Sequence, residues 1–190
     1  MLLFDEYYHT YYYALKNHSR SLVVKSLNNK IKSYGGRENW SSLTLGSINS
    51  EAVAQARTEW PKYYGPDTHN GFPESWERLY YKYAHRPSYF DLAIWQTIDN
   101  AMVLQGLALG QPSNNKTHLV VNWVERSFAP TYFKGGILLP ILACAEEYAK
   151  LLGCERVLVK DAVDPNKYER YGYKDYKLPK ASASYLAKEL

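Results

Sequence analysis

The clearest apolar pattern in the chain covers residues 137–152 and predicts one amphipathic helix. Its apolar positions recur at spacings of three and four residues, so they form a single continuous face. The polar residues Glu146 and Lys150 lie off that face, and Gly153 stands where helices commonly end. We therefore expect this helix to pack one side against the core.

Shorter apolar runs before and after this helix predict β-strands. Two turn-forming segments, at 99–100 and 111–115, separate the three runs that precede the helix, and a fourth run follows it. Strands joined by short turns form an antiparallel meander, whereas a strand–helix–strand crossover joins parallel strands. The expected meander strands are 92–95, 102–109 and 118–124, and the last should lie parallel to 156–159.

The part of the chain before residue 88 predicts helices, with one ambiguous stretch. Residues 4–16 predict a helix, and 21–33 has helical spacing although its apolar run 22–24 could equally form a short strand. Two further helices are expected, one capped by Ser50 and the other over 74–84.

The end of the chain predicts three small elements and completes the fold class. Residues 165–171 form a short helix or turn, 173–178 a last strand, and the tail 181–190 a peripheral helix. The order of elements predicts an α/β (α+β) protein with a mixed sheet, in which an antiparallel meander is followed by a βαβ crossover. We expect a single domain over 1–190, with a helix-rich part over 1–87 and a sheet-bearing core over 88–178.

Composition narrows the class of protein. The 190 residues are 46% hydrophobic and 22% charged, enough for an ordinary globular core. No apolar run reaches the length of a membrane-spanning helix, and Asp5 and Glu6 do not fit a secretory leader. A cytoplasmic protein without a membrane partner is predicted, with Cys144 and Cys154 as reduced core residues. No set of His, Cys, Asp and Glu has the spacing of a metal site.

Tyrosine is the unusual feature of the composition. Five of the 19 tyrosines fall between Tyr7 and Tyr13. They fit an amphipathic helix whose rings pack while their hydroxyls reach water, or a surface that stacks on a base or a partner. The formal net charge is +4, and the densest basic stretch without acidic residues runs from Arg20 to Arg37. That stretch is the candidate surface for a nucleic acid.

A glycine pair precedes the amphipathic helix, in the sequence Lys134-Gly135-Gly136-Ile137. Glycine lets an anionic ligand approach the backbone, and the first-turn amides with the helix dipole can then bind phosphate. A pair of glycines before a helix is also typical of a plain loop.

The order of elements, together with Tyr168-Glu169-Arg170-Tyr171-Gly172-Tyr173, resembles the GCN5-related N-acetyltransferase (GNAT) family. The last helix of that family often reads Tyr-Glu-x-x-Gly-Phe. The resemblance covers about 88–178. The family's pyrophosphate loop, Gln/Arg-x-x-Gly-x-Gly/Ala, aligns its central glycine with Gly136. The chain departs from that pattern at Phe133 and Leu138.

The resemblance implies direct transfer of an acetyl group from acetyl-CoA to an amine. Coenzyme A is then expected between the strands 118–125 and 156–160, with Tyr168 as proton donor to the leaving thiolate and Glu125 as base. Glu125 could instead pair with Arg126 or be solvated. The implied cofactor-binding residues are Trp123, Val124, Glu125, Lys134, Gly135, Gly136, Ile137 and Tyr171.

The amine acceptor is not written in the sequence. Within the family it is a small molecule, a protein or aminoacyl-tRNA, and a homodimer is also open. A second hypothesis is a catalytically silent binding or scaffold protein with the GNAT fold, which uses its tyrosine-rich N-terminus as an interface. The departures at Phe133 and Leu138 favour it, whereas the Tyr168 pattern and the glycine pair favour the enzyme.

Overall fold

A computed structural model describes residues 2–34, 40–64, 73–131, 133 and 136–190. One mixed sheet of seven strands organises the chain, in the order β1-β2-β3-β4-β5-β7-β6. Neighbouring strands are antiparallel except for the parallel pair β4 and β5. The strands are β1 Leu43–Gly46, β2 Phe90–Ile98, β3 Ala101–Pro112, β4 His118–Arg126, β5 Arg156–Lys160, β6 Lys174–Tyr176 and β7 Tyr185–Glu189.

Five α-helices in the described part of the chain cover the sheet, and a hydrophobic core lies on each of its faces. Helices α1 and α4 pack with the first core, which includes Phe133 and Tyr148, and α2 and α3 pack with the second, around Trp60 and Trp76. The helices are α1 Leu2–Tyr34, α2 Ser50–Thr58, α3 Trp76–Tyr83, α4 Leu138–Leu151 and α5 Asn166–Glu169, with 3-10 turns at Trp40–Ser42 and Trp60–Tyr63. The fold class predicted from the sequence is confirmed, including the meander and the parallel β4–β5 pair.

The first helix differs from the prediction, because residues 4–16 and 21–33 belong to one continuous helix and 22–24 is not a strand. Two charged residues, Lys16 and Arg20, lie on the buried stripe and interrupt its apolar pattern. Asp91 on β2 binds both cations, at 2.9 Å from Lys16 Nζ and 3.3 Å from Arg20 Nη2. Asp91 also accepts the Ile48 N–H at 2.8 Å, so a buried ion cluster attaches α1 to the sheet.

The tyrosine cluster on α1 divides between core and surface. Tyr12 is buried, whereas Tyr7, Tyr8, Tyr11 and Tyr13 are 67%, 50%, 43% and 57% exposed. The amphipathic interpretation therefore accounts for one of the five rings.

The tail also differs from the prediction, because residues 185–189 form β7 and not part of a peripheral helix. β7 pairs with β5 on one edge and with β6 on the other, so both rows of its backbone groups are hydrogen-bonded within the sheet. Backbone pairing with distant strands, rather than local sequence preference, sets this structure.

The smaller helices start near their predicted positions. α2 is capped by Asn49, whose side chain accepts the Ala52 N–H at 2.9 Å, and not by Ser50. α3 begins at Trp76 with Ser75 as its cap. Gly153 follows α4 with a φ of +77°, which a side chain would oppose, so the predicted helix end is confirmed.

Three expectations from the sequence can be compared with the described residues. Cys144 and Cys154 are both buried and free, and burial raises the pKa of Cys144 to about 12. Across 2–34, 40–64, 73–131, 133 and 136–190, no helix has both the length and the apolar character to cross a bilayer. The same residues contain no cluster of three or more potential metal ligands.

Candidate functional site

An opening in the sheet lies where β4 and β5 separate. Their parallel pairing ends at the pair Val121 and Val159, yet β4 continues to Arg126 alongside β3. The backbone edge of β4 that faces β5 is therefore left without a strand partner among the described residues.

A bulge in β4 accompanies this separation. Val121 and Trp123 stand opposite two successive residues of β3, so Asn122 between them is an extra residue on β4. A bulge bends its strand and increases the local twist, which turns the end of β4 away from β5. The sequence alone does not reveal this bulge.

The opening forms a cleft of about 640 Å³, a volume within the usual range of ligand sites. It is lined by residues 121–126 of β4, by the first turn of α4, by 159–164 at and after β5, and by Tyr168 of α5. One site thus combines a free strand edge, a helix N-terminus and a tyrosine hydroxyl.

Five of the residues singled out in the sequence line this cleft together: Trp123, Val124, Glu125, Ile137 and Tyr168. Lys134 and Gly135 lie outside the described residues. Tyr171 is not part of the lining, because its hydroxyl accepts a hydrogen bond from Arg170 at 2.6 Å and its ring packs against the core.

The turn before α4 differs from the expected phosphate loop. The Gly136 N–H donates to the Phe133 carbonyl at 2.7 Å, so this amide is already used within the chain. The N-terminus of α4 has Ile137 at its cap position, a residue without a polar side-chain atom. In the first turn of α4, the Leu139 N–H donates to the Gly136 carbonyl at 3.1 Å and Pro140 has no N–H, so the amides of Ile137 and Leu138 are the groups on this wall that an anion could approach.

The two departures from the family loop have different structural roles. Phe133 is fully buried and stacks on Trp40, with ring centroids 4.8 Å apart. A cationic side chain could not occupy that position without being buried in the core. Leu138, in contrast, lines the cleft at the first turn of α4.

Glu125 is 8% exposed and its carboxylate is held by two neutral donors. The Tyr64 hydroxyl donates to Oε1 at 3.0 Å and the Trp76 indole N–H donates to Oε2. Burial and the nearby Glu125 charge raise the pKa of Tyr64. Glu125 is neither solvated nor paired with Arg126, whose guanidinium instead lies over the Phe128 ring at 4.4 Å.

Tyr168 lies on the opposite wall and is half-buried. Its ring packs edge-to-face on Tyr173, with centroids 6.3 Å apart. Burial, and secondarily the Asp164 carboxylate, raise the pKa of Tyr168, so the hydroxyl keeps its proton at neutral pH. Gly172 has a φ of +87°, which accounts for the glycine in the motif that places Tyr168 here.

Four residues of the site were not predicted from the sequence: Asn122 and Phe128, which line the cleft, and Tyr64 and Trp76, which bind Glu125. Asn122 lines the cleft, and its Nδ2 is buried without a hydrogen-bond partner in the structure. Its single polar side chain within the apolar run 119–124 was an available signal. The contact of Tyr64 and Trp76 with Glu125 left no local signal, because it joins residues 61 and 49 positions apart.

The structure removes one cation from the basic surface that the stretch from Arg20 to Arg37 was expected to offer to a nucleic acid. Arg20 is buried in the ion cluster with Asp91, so it does not contribute to a surface patch. Lys25 is exposed, and Arg37 lies outside the described residues.

Comparisons with known proteins agree at the level of the fold. No family model matches the chain, and no curated protein matches it in sequence. Solved structures do match. Spermidine N-acetyltransferase from Vibrio cholerae, in complex with CoA and spermine, has a TM-score of 0.53 and 13% identity over 78% of this chain and 96% of that one.

Two further matches extend the comparison. A domain from Methanocaldococcus jannaschii has a TM-score of 0.54 and 13% identity, over 78% of this chain and 98% of that one. Aminoglycoside 6'-acetyltransferase type Ii has a TM-score of 0.50 and 16% identity, over 77% and 96%. The chain therefore has the GNAT fold, as its sequence pattern predicted.

Proposed function

We propose that the protein is an N-acetyltransferase that moves an acetyl group from acetyl-CoA to an amine by direct attack on the thioester. The observation that carries this proposal is the cleft that opens where β4 and β5 separate after Val121 and Val159. Glu125 lies on one wall of it and Tyr168 on the other. The neighbours of known activity with this fold are acetyltransferases of amines.

The residues present fit coenzyme A in three respects. The edge of β4 at 122–126, which no described strand pairs with on the β5 side, offers backbone groups to the amides of the pantetheine arm, and the buried Nδ2 of Asn122 needs an acceptor. The start of α4 offers the Ile137 and Leu138 N–H groups and the positive end of the helix dipole to the pyrophosphate. We refer to α4's first turn, 159–164 and Tyr168 as the cofactor wall. Bound acetyl-CoA supplies an acetyl group activated as a thioester.

The chain's own residues would move two protons. Glu125 would take a proton from the attacking nitrogen, and Tyr64 and Trp76 stabilise its ionised form by donating to both oxygens. Tyr168 would give its proton to the departing sulfur, and its raised pKa means that the hydroxyl still holds a proton to donate at neutral pH. The new carbon–nitrogen bond forms as the carbon–sulfur bond breaks, so the charges balance.

Calorimetric titration with coenzyme A tests the proposal directly. The matched variants Leu138→Glu and Leu139→Glu add the same charge to the same helical turn, and both residues are partly buried. Leu138 lines the cleft and Leu139 does not. We expect micromolar binding that Leu138→Glu weakens about 100-fold and Leu139→Glu leaves within about threefold, because the carboxylate repels the phosphates only in the cleft.

Absence of binding by a protein that circular dichroism shows to be folded would contradict the proposal. It would favour the binding or scaffold hypothesis, for which the four exposed tyrosines of α1 are the supporting observation. Equal weakening by both variants would show that the turn, rather than its charge, had been disturbed.

A further inference from the structure

The first helix has an unusual distribution of charge between its buried side and its exposed side. From Tyr7 to Val24 the chain contains two charged residues, Lys16 and Arg20, and both are buried with Asp91. A helix on a protein surface normally has its charged residues on the side that faces water. On α1 the order is reversed, so about five helical turns expose none of their own Asp, Glu, Lys or Arg side chains.

Aromatic, small and apolar residues occupy the exposed side of α1 instead. They recur every three or four residues opposite the buried side, and we refer to them as the outward stripe: Tyr7, Tyr11, Ala14, His18 and Leu22. Tyr7 packs edge-to-face on Tyr8, which stacks on the buried Tyr12 with ring centroids 6.5 Å apart. Tyr11 also packs on Tyr12, at 5.2 Å. The rings therefore form one connected surface that is anchored on a core residue.

The outward stripe offers a surface of the size that a protein partner needs. The exposed tyrosines of α1 present roughly 400 Å², which is about half of the ~800 Å² that each partner contributes to a standard interface. His18 and Leu22 extend the same surface towards the middle of the helix. A nucleic acid fits less well, because its phosphates require cations and the stripe contains no Lys or Arg.

The charges at the two ends of the stripe indicate which protein partner fits. Glu6 is exposed at one end and Lys25 is exposed at the other. A second copy of α1 packed antiparallel would bring Glu6 of each chain towards the partner's Lys25, whereas a parallel copy would bring equal charges together. Between the ends, the absence of charged side chains lets the stripe face its own copy without repulsion.

We propose that the protein forms a homodimer in which the outward stripes of two α1 helices pack antiparallel about a two-fold axis near Ala14. This arrangement places Tyr7 against the partner's Leu22 and Tyr11 against the partner's His18. The small Ala14 side chain lets the helix axes approach closely at the centre, and the interface is isologous, with the same residues on both copies. The inference goes beyond the proposed function, since no α1 residue lines the cleft.

Sedimentation equilibrium of the full chain tests the dimer. We expect a mass twice that of one chain, with a Kd of about 1 µM or below. Ala14→Glu places a carboxylate opposite its own copy at the centre of the interface and should weaken the dimer about 100-fold or more. The matched control is Ala54→Glu, an exposed alanine on α2, which should stay within about threefold. Circular dichroism checks that both variants are folded.

Cross-linking with a short bis-maleimide tests the antiparallel arrangement. Ala14→Cys should link to its own copy, whereas Tyr7→Cys alone should not, because the two copies of position 7 lie about 20 Å apart along the helix pair. A mixture of Tyr7→Cys with Leu22→Cys should link. The unmodified chain is the control and should not link, since Cys144 and Cys154 are both buried.

Three results would overturn the inference. The first is a folded protein that remains monomeric at about 100 µM, and binding of that monomer to RNA or to a different protein would assign the stripe to another partner. The second is equal weakening of a dimer by Ala14→Glu and Ala54→Glu, which would place the interface elsewhere. The third is efficient linking of Tyr7→Cys alone, which would indicate parallel helices. None of these results bears on coenzyme A binding, so the proposed function is tested separately.

Discussion

The two walls of the cleft differ in how their residues are distributed along the chain. The cofactor wall comes from the continuous segment 137–168, in which α4, β5 and α5 follow one another. The opposite wall, which we call the acceptor wall, consists of Glu125 with Tyr64 and Trp76, which reach it from 61 and 49 residues away. One wall is thus built by local connectivity and the other by the packing of distant elements.

This difference suggests that the two walls have separate functions, one for the amine and one for coenzyme A, which variants can test. If the walls act separately, changes to the acceptor wall should alter amine kinetics and leave the Kd of coenzyme A unchanged. Changes to the cofactor wall should alter the handling of the thioester or its binding. A variant that moves both quantities would contradict the separation.

Glu125→Gln should have the largest effect, because it replaces the proposed proton acceptor with a neutral amide that cannot take the proton. We expect kcat/KM for the amine to fall about 10³-fold, with the Kd of coenzyme A within about twofold of wild type. The control Glu147→Gln, which alters an exposed ion pair with Lys150 at 2.8 Å, should be nearly silent. A Glu125→Gln enzyme with normal kcat/KM would remove Glu125 from the mechanism.

Tyr168→Phe should lower kcat about 10²-fold without changing coenzyme A binding, because the variant loses only the proton-donating hydroxyl. Tyr171→Phe is the matched control three residues away, outside the cleft lining, and should stay within about twofold. Since the pKa of Tyr168 is raised from 10.0, this residue should cause no loss of rate between pH 7 and 9. Equal effects of the two variants would contradict the assignment of Tyr168 as the proton donor.

Phe133→Leu addresses the position where the family pattern has a polar or cationic residue. Because Phe133 is fully buried against Trp40, we expect a loss of about 1 kcal/mol in the free energy of unfolding. The Kd of coenzyme A should change less than about twofold. Urea unfolding and calorimetry measure the two quantities, and weakened binding with unchanged stability would show that the ring contacts the ligand.

Tyr64→Phe should have the smallest effect, about threefold in kcat/KM, since it removes one hydrogen bond to Glu125 and no substrate contact. Steady-state kinetics with saturating acetyl-CoA measure this change. Tyr63→Phe, next to it and exposed, is the control. A Tyr64→Phe enzyme with the same kcat/KM as Tyr63→Phe would mean that Tyr64 does not position the base.

The part of the fold predicted from sequence is the part in which neighbours along the chain are also neighbours in space. The apolar periodicity of α4 and the crossover between β4 and β5 needed no distant information. The same region supplied the position of Tyr168 and Glu125 in the cleft.

The predictions were wrong where contacts between residues far apart in the chain override the local sequence pattern. Lys16 and Arg20 appear polar and exposed in the sequence, yet Asp91 compensates both in the interior, so one helix was divided into two elements. The strand character of 185–189 depends on pairing with β5 and β6. The bulge at Asn122 and the ring cluster around Glu125 likewise depend on elements far away in the chain.

The position of β7 between β5 and β6 affects the order in which the strands can pair during synthesis. Among the described residues, β6 pairs only with β7. As the chain leaves the ribosome, β6 therefore has no edge to join until 185–189 has been synthesised. The segment that carries Tyr168 lies between β5 and β6, so its final anchoring waits for that last step. A nascent chain halted before residue 185 would retain the meander and α4 but not a completed cofactor wall.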